Sequence, residues 1–116
     1  MDQPPVETFD VAALEAARAE AQRRTGELYL EFLRRDSMSC GLYVLEAGAA
    51  DPQGPHAEDE VYLVLSGRAA ITAGGDTRPV GPGSVVFVAA TVPHRFHDIS
   101  ERLSVLVFFA PAESEP

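Results

Sequence analysis

From residue 28 onward, apolar and β-branched residues come in short runs, at 28–33, 41–45, 61–65, 69–72, 85–88 and 103–109, each bounded by turn-forming residues. Runs of this length with turn signals between them mark an all-β domain. Ala73-Gly-Gly-Asp-Thr77 predicts a hairpin turn, and Val80-Gly-Pro-Gly-Ser84 a tight turn leading into a buried strand. One helix precedes the strands. Asp10 is a good N-cap, Phe9 and Leu14 fall at the positions of a hydrophobic staple, and the alanine-rich run through Arg24 favours helix. Gly26 suits its end, and Arg23 and Arg24 complement the negative pole of the helix dipole. Many short strands with a single N-terminal helix fit a small barrel or double-sheet jelly roll better than an α/β layer structure. The expected organisation is an arm and helix over 1–26, a barrel over 27–111 and a frayed tail over 112–116.

At 116 residues the chain has room for one ordinary hydrophobic core, and 46% apolar with 23% charged residues is the balance of a folded domain. Its net charge is -9, and all nine basic residues are arginines. Phosphate recognition needs a basic patch, so neither nucleic acid nor an anionic membrane is an expected partner. Cys40 is the lone cysteine, which excludes an intrachain disulfide and a cysteine-based zinc site. No apolar run approaches membrane-spanning length, and the N-terminus lacks the basic and apolar regions of a secretory leader. The expected location is cytoplasmic.

The chemistry concentrates in three histidines, His56, His94 and His97, two of which follow proline-bearing turns. Imidazole and carboxylate together bind first-row metals, and two histidines with one carboxylate leave positions open for water or substrate. His56 and Glu60 would stand about 13 Å apart on a regular strand, so they can meet only across a bend. Ala57-Glu58-Asp59 is the place for it. Beyond the bend Glu60, Tyr62 and Val64 share one face of a strand, and Val61, Leu63 and Leu65 the other.

The spacing of these residues resembles the two motifs of the small single-domain cupins. The first motif reads Gly, five residues, His-x-His, three or four residues, Glu, six residues, Gly. Here Gly48 is followed after five residues by Gly54, then His56, Glu60 after three more, and Gly67 after a further six. Gly54 occupies the place of the first histidine. The second motif reads Gly, five residues, Pro-x-Gly, two residues, His, three residues, Asn. Here Gly83, Ala89-Ala90-Thr91, His94 and Asp98 keep that spacing.

The resemblance implies a jelly-roll β-barrel with His56, Glu60 and His94 around a divalent first-row metal (iron, manganese, nickel or zinc), and often a homodimer. Gln53, one residue before the vacant ligand position, is a candidate replacement donor, with Asp51 a weaker one. A metal-dependent enzyme acting on a small organic molecule is the leading expectation. Dioxygenase chemistry is its first form, with isomerase or lyase chemistry as alternatives. A non-catalytic small-molecule binder stays open beside it.

The remaining residues read more simply. His97, at odd spacing from His94, should face the opposite side of its strand. Glu58 and Asp59 read as a solvated acidic turn. Tyr62, Phe96 and Phe108 read as core aromatics or pocket walls. Arg95 could meet an acidic substrate, although an exposed ion pair is the commoner fate.

Overall fold

The computed structural model of the chain describes residues 3–52 and 54–114. The helix α1, Val11–Thr25, begins and ends where its caps direct. Asp10 is extended and its Oδ2 accepts from the Ala13 N–H at 3.1 Å. Gly26 takes the left-handed conformation (φ 79°) and donates its N–H to the Gln22 carbonyl at 2.8 Å. The Phe9 ring packs on Phe32, with centroids 4.8 Å apart. Among the described residues no helix is long and apolar enough to cross a membrane.

Six strands follow among the described residues: β1 Tyr29–Arg35, β2 Met38–Leu45, β3 Asp59–Ala73, β4 Asp76–Val80, β5 Val85–Val88 and β6 His94–Ala110. They form one antiparallel sheet in the order β1-β2-β6-β3-β4, with β5 paired to the other half of β3. The runs 61–65 and 69–72 are thus a single strand. Its pairing with β6 extends from Asp59 opposite Ala110 to Ala73 opposite His94, and its register slips between Val64 and Ala70. Bulges at such slips bend and twist a ribbon, here rolling the sheet around its own inner face. Tyr62, Phe96, Phe109, Leu45, Leu103 and Val105 fill the interior, each at most 2% exposed.

On the opposite face of β2, Leu42 and Val44 are also buried. Val44 pairs with Ser104, whose hydroxyl donates to Glu15 of α1 at 2.5 Å, so this is the face that the helix covers. Arg18, 2% exposed, seats the helix by donating to Gln22 Oε1 at 2.7 Å and to the Leu28 carbonyl at 3.4 Å.

The structure also differs from the sequence reading at β4, at β5 and at the C-terminus. The turn at Gly74-Gly75, both at positive φ, leads into β4, which the residues alone conceal. Four of its five residues are exposed and it contains Pro79, which only an edge strand tolerates. β5 was expected to be buried, yet Val85 is 69% and Phe87 63% exposed, because only Val86 and Val88 turn toward the core cluster. Finally, residues 112–114 are pinned, not frayed. The Glu113 N–H donates to Ser39 Oγ at 2.9 Å, and Arg34 Nη2 donates to the Glu113 carbonyl at 2.7 Å.

Gly67 marks the tightest point of the roll. Its φ is 93°, and a Cβ there would lie 2.1 Å from the Arg102 carbonyl oxygen of β6. Left-handed backbone costs an L-residue about 1–2 kcal/mol, and backbone overpacking adds about 1–3 kcal/mol. Gly67→Ala should therefore lower the urea midpoint by the equivalent of about 2–5 kcal/mol. An unchanged midpoint would show that β3 and β6 do not approach this closely.

Candidate metal centre

His56, Glu60 and His94 converge, each offering a ligand atom within 4.8 Å of the others. Three local features bring them together. The chain bends at Ala57-Glu58, so that Glu60 turns inward as the second residue of β3. Thr91, at φ 68° where the related motif has glycine, donates its N–H to the His56 carbonyl at 2.7 Å. Ala90 donates its N–H to Asp59 Oδ1 at 2.8 Å. The turn before β6 is thereby tied to the segment before β3, and His94 opens β6 facing Glu60.

His94 Nδ1 lies 2.8 Å from the Val92 carbonyl, which accepts its proton and leaves Nε2 for the interior. Nε2 is 3.0 Å from the Tyr62 hydroxyl and 3.0 Å from Glu60 Oε1. The side chains of Glu60 and His94 are each 1% exposed. Glu60 Oε1 approaches the imidazole without hydrogen-bond alignment, and neither Glu60 oxygen has a hydrogen-bond partner among the described residues. A buried carboxylate without donors is costly unless a positive charge accompanies it. Burial alone would lower the His94 pKa, but the Glu60 carboxylate, the Val92 carbonyl and the charge of Asp51 together hold it above its ordinary value. The pair is built to share a cation, whether a proton or a metal ion.

His56 is less enclosed, at 17% side-chain exposure. Its ring packs edge-on against Phe109 at 4.8 Å and lies 5.8 Å from the His94 ring. His56 also stands on the wall of a cavity of about 280 Å³ shared with Tyr29, Tyr43, Val107, Phe109 and Glu113. His94 borders a second, more open cavity of about 560 Å³ with Gly54, Thr72 and Arg95. A Cβ at Gly54 would meet nothing within 4 Å, so the vacant ligand position opens into space.

The other candidates separate clearly. Gln53 lies outside the described residues. Asp51 is an anchor: its Oδ1 accepts from the Tyr43 hydroxyl at 2.6 Å and its Oδ2 from the Phe96 N–H at 2.9 Å. That hydrogen bond and burial both raise the Tyr43 pKa, burial more. His97 faces away from the centre and meets Thr72 Oγ1 at 2.7 Å and Asp98 at 2.9 Å. Glu58 corrects the expectation of a solvated acidic turn. It is 5% exposed, and its Oε2 accepts from the Ser114 N–H at 3.1 Å and from the Ser114 hydroxyl.

Two residues near the centre escaped the sequence reading in different ways. Tyr62, 0% exposed, reads from sequence as a core aromatic or a pocket wall, and its hydroxyl's position beside His94 Nε2 is what the residues alone do not show. Glu113 sits in a Pro-Ala-Glu-Ser-Glu-Pro stretch with no local signal, yet its Oε2 is 3.4 Å from His56 Nδ1. Burial, followed by repulsion from Glu31, Glu58 and Glu60 and opposed by Arg34, pushes its pKa up to about 7. A carboxyl group raised in the folded state costs stability once ionised. The cost is absent below its ordinary value of 4.5, grows as pH rises toward about 7, and is complete above that. In metal-free protein, Glu113→Gln should therefore raise Tm above pH 7 and leave it unchanged near pH 4. An equal shift at both pH values would show that Glu113 is not held in this acidic surrounding.

The match to known proteins follows the same residues. The cupin domain model matches residues 41–109, more than half of the chain. An uncharacterised protein of Streptomyces coelicolor is 59% identical over 96 residues, covering 82% of this chain and 91% of its own length. Among solved structures, the salicylate 1,2-dioxygenase of Pseudaminobacter salicylatoxidans superposes with a TM-score of 0.76 at 15% identity, covering 88% of this chain and 34% of that one. The DMSP lyase DddQ of Ruegeria pomeroyi superposes with a TM-score of 0.65 at 23% identity, covering 75% and 49%. This chain thus spans about a third of the dioxygenase and about half of the lyase, and at these identities the likeness is one of fold. With its rolled antiparallel sheet, its paired motifs and its His-His-Glu cluster, the chain belongs to the cupin family.

Proposed function

We propose that His56, Glu60 and His94 hold a divalent first-row transition metal and that the chain acts there on a small organic molecule. One observation carries this reading: among the described residues neither oxygen of the Glu60 carboxylate, 1% exposed, has a hydrogen-bond partner, while one of them stands 3.0 Å from an imidazole nitrogen. Two nitrogens and an oxygen suit iron, manganese, nickel or zinc. When bound, such a metal supplies Lewis acidity or redox chemistry and leaves positions for water or a chelating substrate.

The chain's own residues supply the rest. Val92 fixes the His94 tautomer by accepting at Nδ1, so that Nε2 faces inward. The Tyr62 hydroxyl, beside that nitrogen, holds a proton within reach of the centre. Val107, Phe109, Tyr29 and Tyr43 give the His56 cavity an apolar side, Glu27, Glu31, Arg34 and Glu113 a charged one, and about 280 Å³ suits a small substrate. Dioxygenase chemistry is the first reaction to test, and lyase or isomerase chemistry the next. The salicylate dioxygenase and the DMSP lyase share the fold with this chain, and likeness of fold does not rank the reactions. A non-catalytic binding role is favoured by one observation, the open position at Gly54 where a fourth donor would stand.

Metal analysis of untagged protein, compared with His56→Ala and His94→Ala, tests the reading. We expect about one metal per wild-type chain after reconstitution, and roughly a hundredfold or greater loss of affinity in either variant, since a missing ligand costs more than a missing supporting contact. Failure of the wild type to take up iron, manganese, nickel or zinc would overturn it. In the loaded protein, oxygen consumption with small phenols and hydroxybenzoates separates a dioxygenase from a binder, which would show ligand-induced thermal shifts without turnover.

A further inference from the structure

We propose that Glu113 is a positioning residue for the centre: residues 112–114 form a strap across the rim of the cavity, and the Glu113 carboxylate holds the His56 ring through Nδ1. The inference rests on the metal reading above for its consequence, but not for its geometry.

The strap is anchored independently of the carboxylate. Both backbone polar groups of Glu113 are engaged, its N–H by Ser39 Oγ at 2.9 Å and its carbonyl by Arg34 Nη2 at 2.7 Å. On one side, the Ala112 N–H reaches the Asp36 carbonyl at 3.4 Å. On the other, Ser114 donates from its N–H and its hydroxyl to Glu58 Oε2. Residues from β1, from β2 and from the bend before β3 therefore place one side chain, whose Oε2 ends 3.4 Å from His56 Nδ1. Glu58 lies two residues from His56, so strap and histidine hang from the same bend.

This placement has a chemical consequence. An imidazole has one nitrogen to give a metal, and the hydrogen bond made by the other decides which. For His94 the Val92 carbonyl makes that choice. For His56 the Glu113 carboxylate stands on the Nδ1 side at 3.4 Å, an ion-pair distance that a small closing movement of either side chain turns into a hydrogen bond, which leaves Nε2 for the metal. With 27% side-chain exposure for Glu113 and 17% for His56, the contact is shielded enough to hold an orientation that a surface ion pair would not.

The test uses untagged full-length protein and two readouts. In the metal-free state near pH 8, long-range nitrogen–proton correlation of the histidine rings reports the His56 tautomer. We expect the Nδ1–H form in wild type and in Glu113→Gln, whose amide oxygen still accepts, and a shift toward the Nε2–H form in Glu113→Ala. Zinc titration should show affinity about 10- to 100-fold weaker for Glu113→Ala and largely restored in Glu113→Gln. Ser39→Ala, which loosens the anchor and leaves the carboxylate intact, should fall between them. Equal tautomer populations in wild type and Glu113→Ala would overturn the proposal, as would wild-type zinc affinity retained within about twofold by Glu113→Ala. If the tautomer follows Glu113 while the wild type binds no zinc, the positioning role stands and the metal reading falls.

Discussion

Glu60 and His94 occupy opposite ends of one β ladder. Glu60 pairs with Phe109 and His94 with Ala73, so thirteen residues of β3 separate the two rungs, about 43 Å if the strand ran straight. Their side chains nevertheless stand 3.0 Å apart. Only a ribbon that returns on itself satisfies both facts, and the register slips between Val64 and Ala70 are where β3 and β6 make the turn. Gly67 permits the closest approach there, and the bonds from Ala90 and Thr91 to Asp59 and His56 close the seam on the far side. The interior aromatics and the helix on the outer face fill in around that closure.

Closure of the roll brings acidic groups together out of solvent. Glu58 and Glu60 are buried, and Glu113 shares the surroundings that raise its pKa. A barrel selected for stability alone would place apolar residues at such positions, because carboxylates without donors oppose folding. Ser114 donates to Glu58 Oε2 and Glu113 approaches His56 Nδ1 at 3.4 Å, while among the described residues neither Glu60 oxygen has a hydrogen-bond partner and His94 stands 3.0 Å away. Among the described residues Arg18 Nε, the Tyr29 hydroxyl and Glu58 Oε1 are also buried without partners, but only Glu60 has both carboxylate oxygens so placed, and it lies where a metal would be held, the pattern expected when a site is maintained at the expense of the fold.

Much of this was legible in the residues, for physical reasons that differ from part to part. Helix α1 was readable because Asp10 and Gly26 act locally on their own backbone. The three convergent residues were readable through the resemblance of their spacing to the two cupin motifs, and that spacing survives because the bend before β3 and the turn before β6 must meet at the site. Thr91 shows how firmly: it keeps a left-handed backbone without being glycine. Strand β4 was concealed because an exposed edge strand has no core face to impose alternation. Glu58, Asp51 and Glu113 were misread or unseen because their partners, Ser114, Phe96 and His56, lie 45 to 57 positions away. No local pattern encodes such a pairing. The reach of the Tyr62 hydroxyl to His94 is of the same kind.

On this reading Glu60 is kept for a cation and not for the fold. Thermal unfolding of wild type and Glu60→Gln at pH 8, with and without added zinc or manganese, tests it most directly. The metal-free variant should melt at or above the wild-type temperature, and metal should raise Tm in wild type and leave the variant unmoved. A metal-free variant that melts well below wild type, together with equal shifts on adding metal, would contradict it and make Glu60 a structural residue.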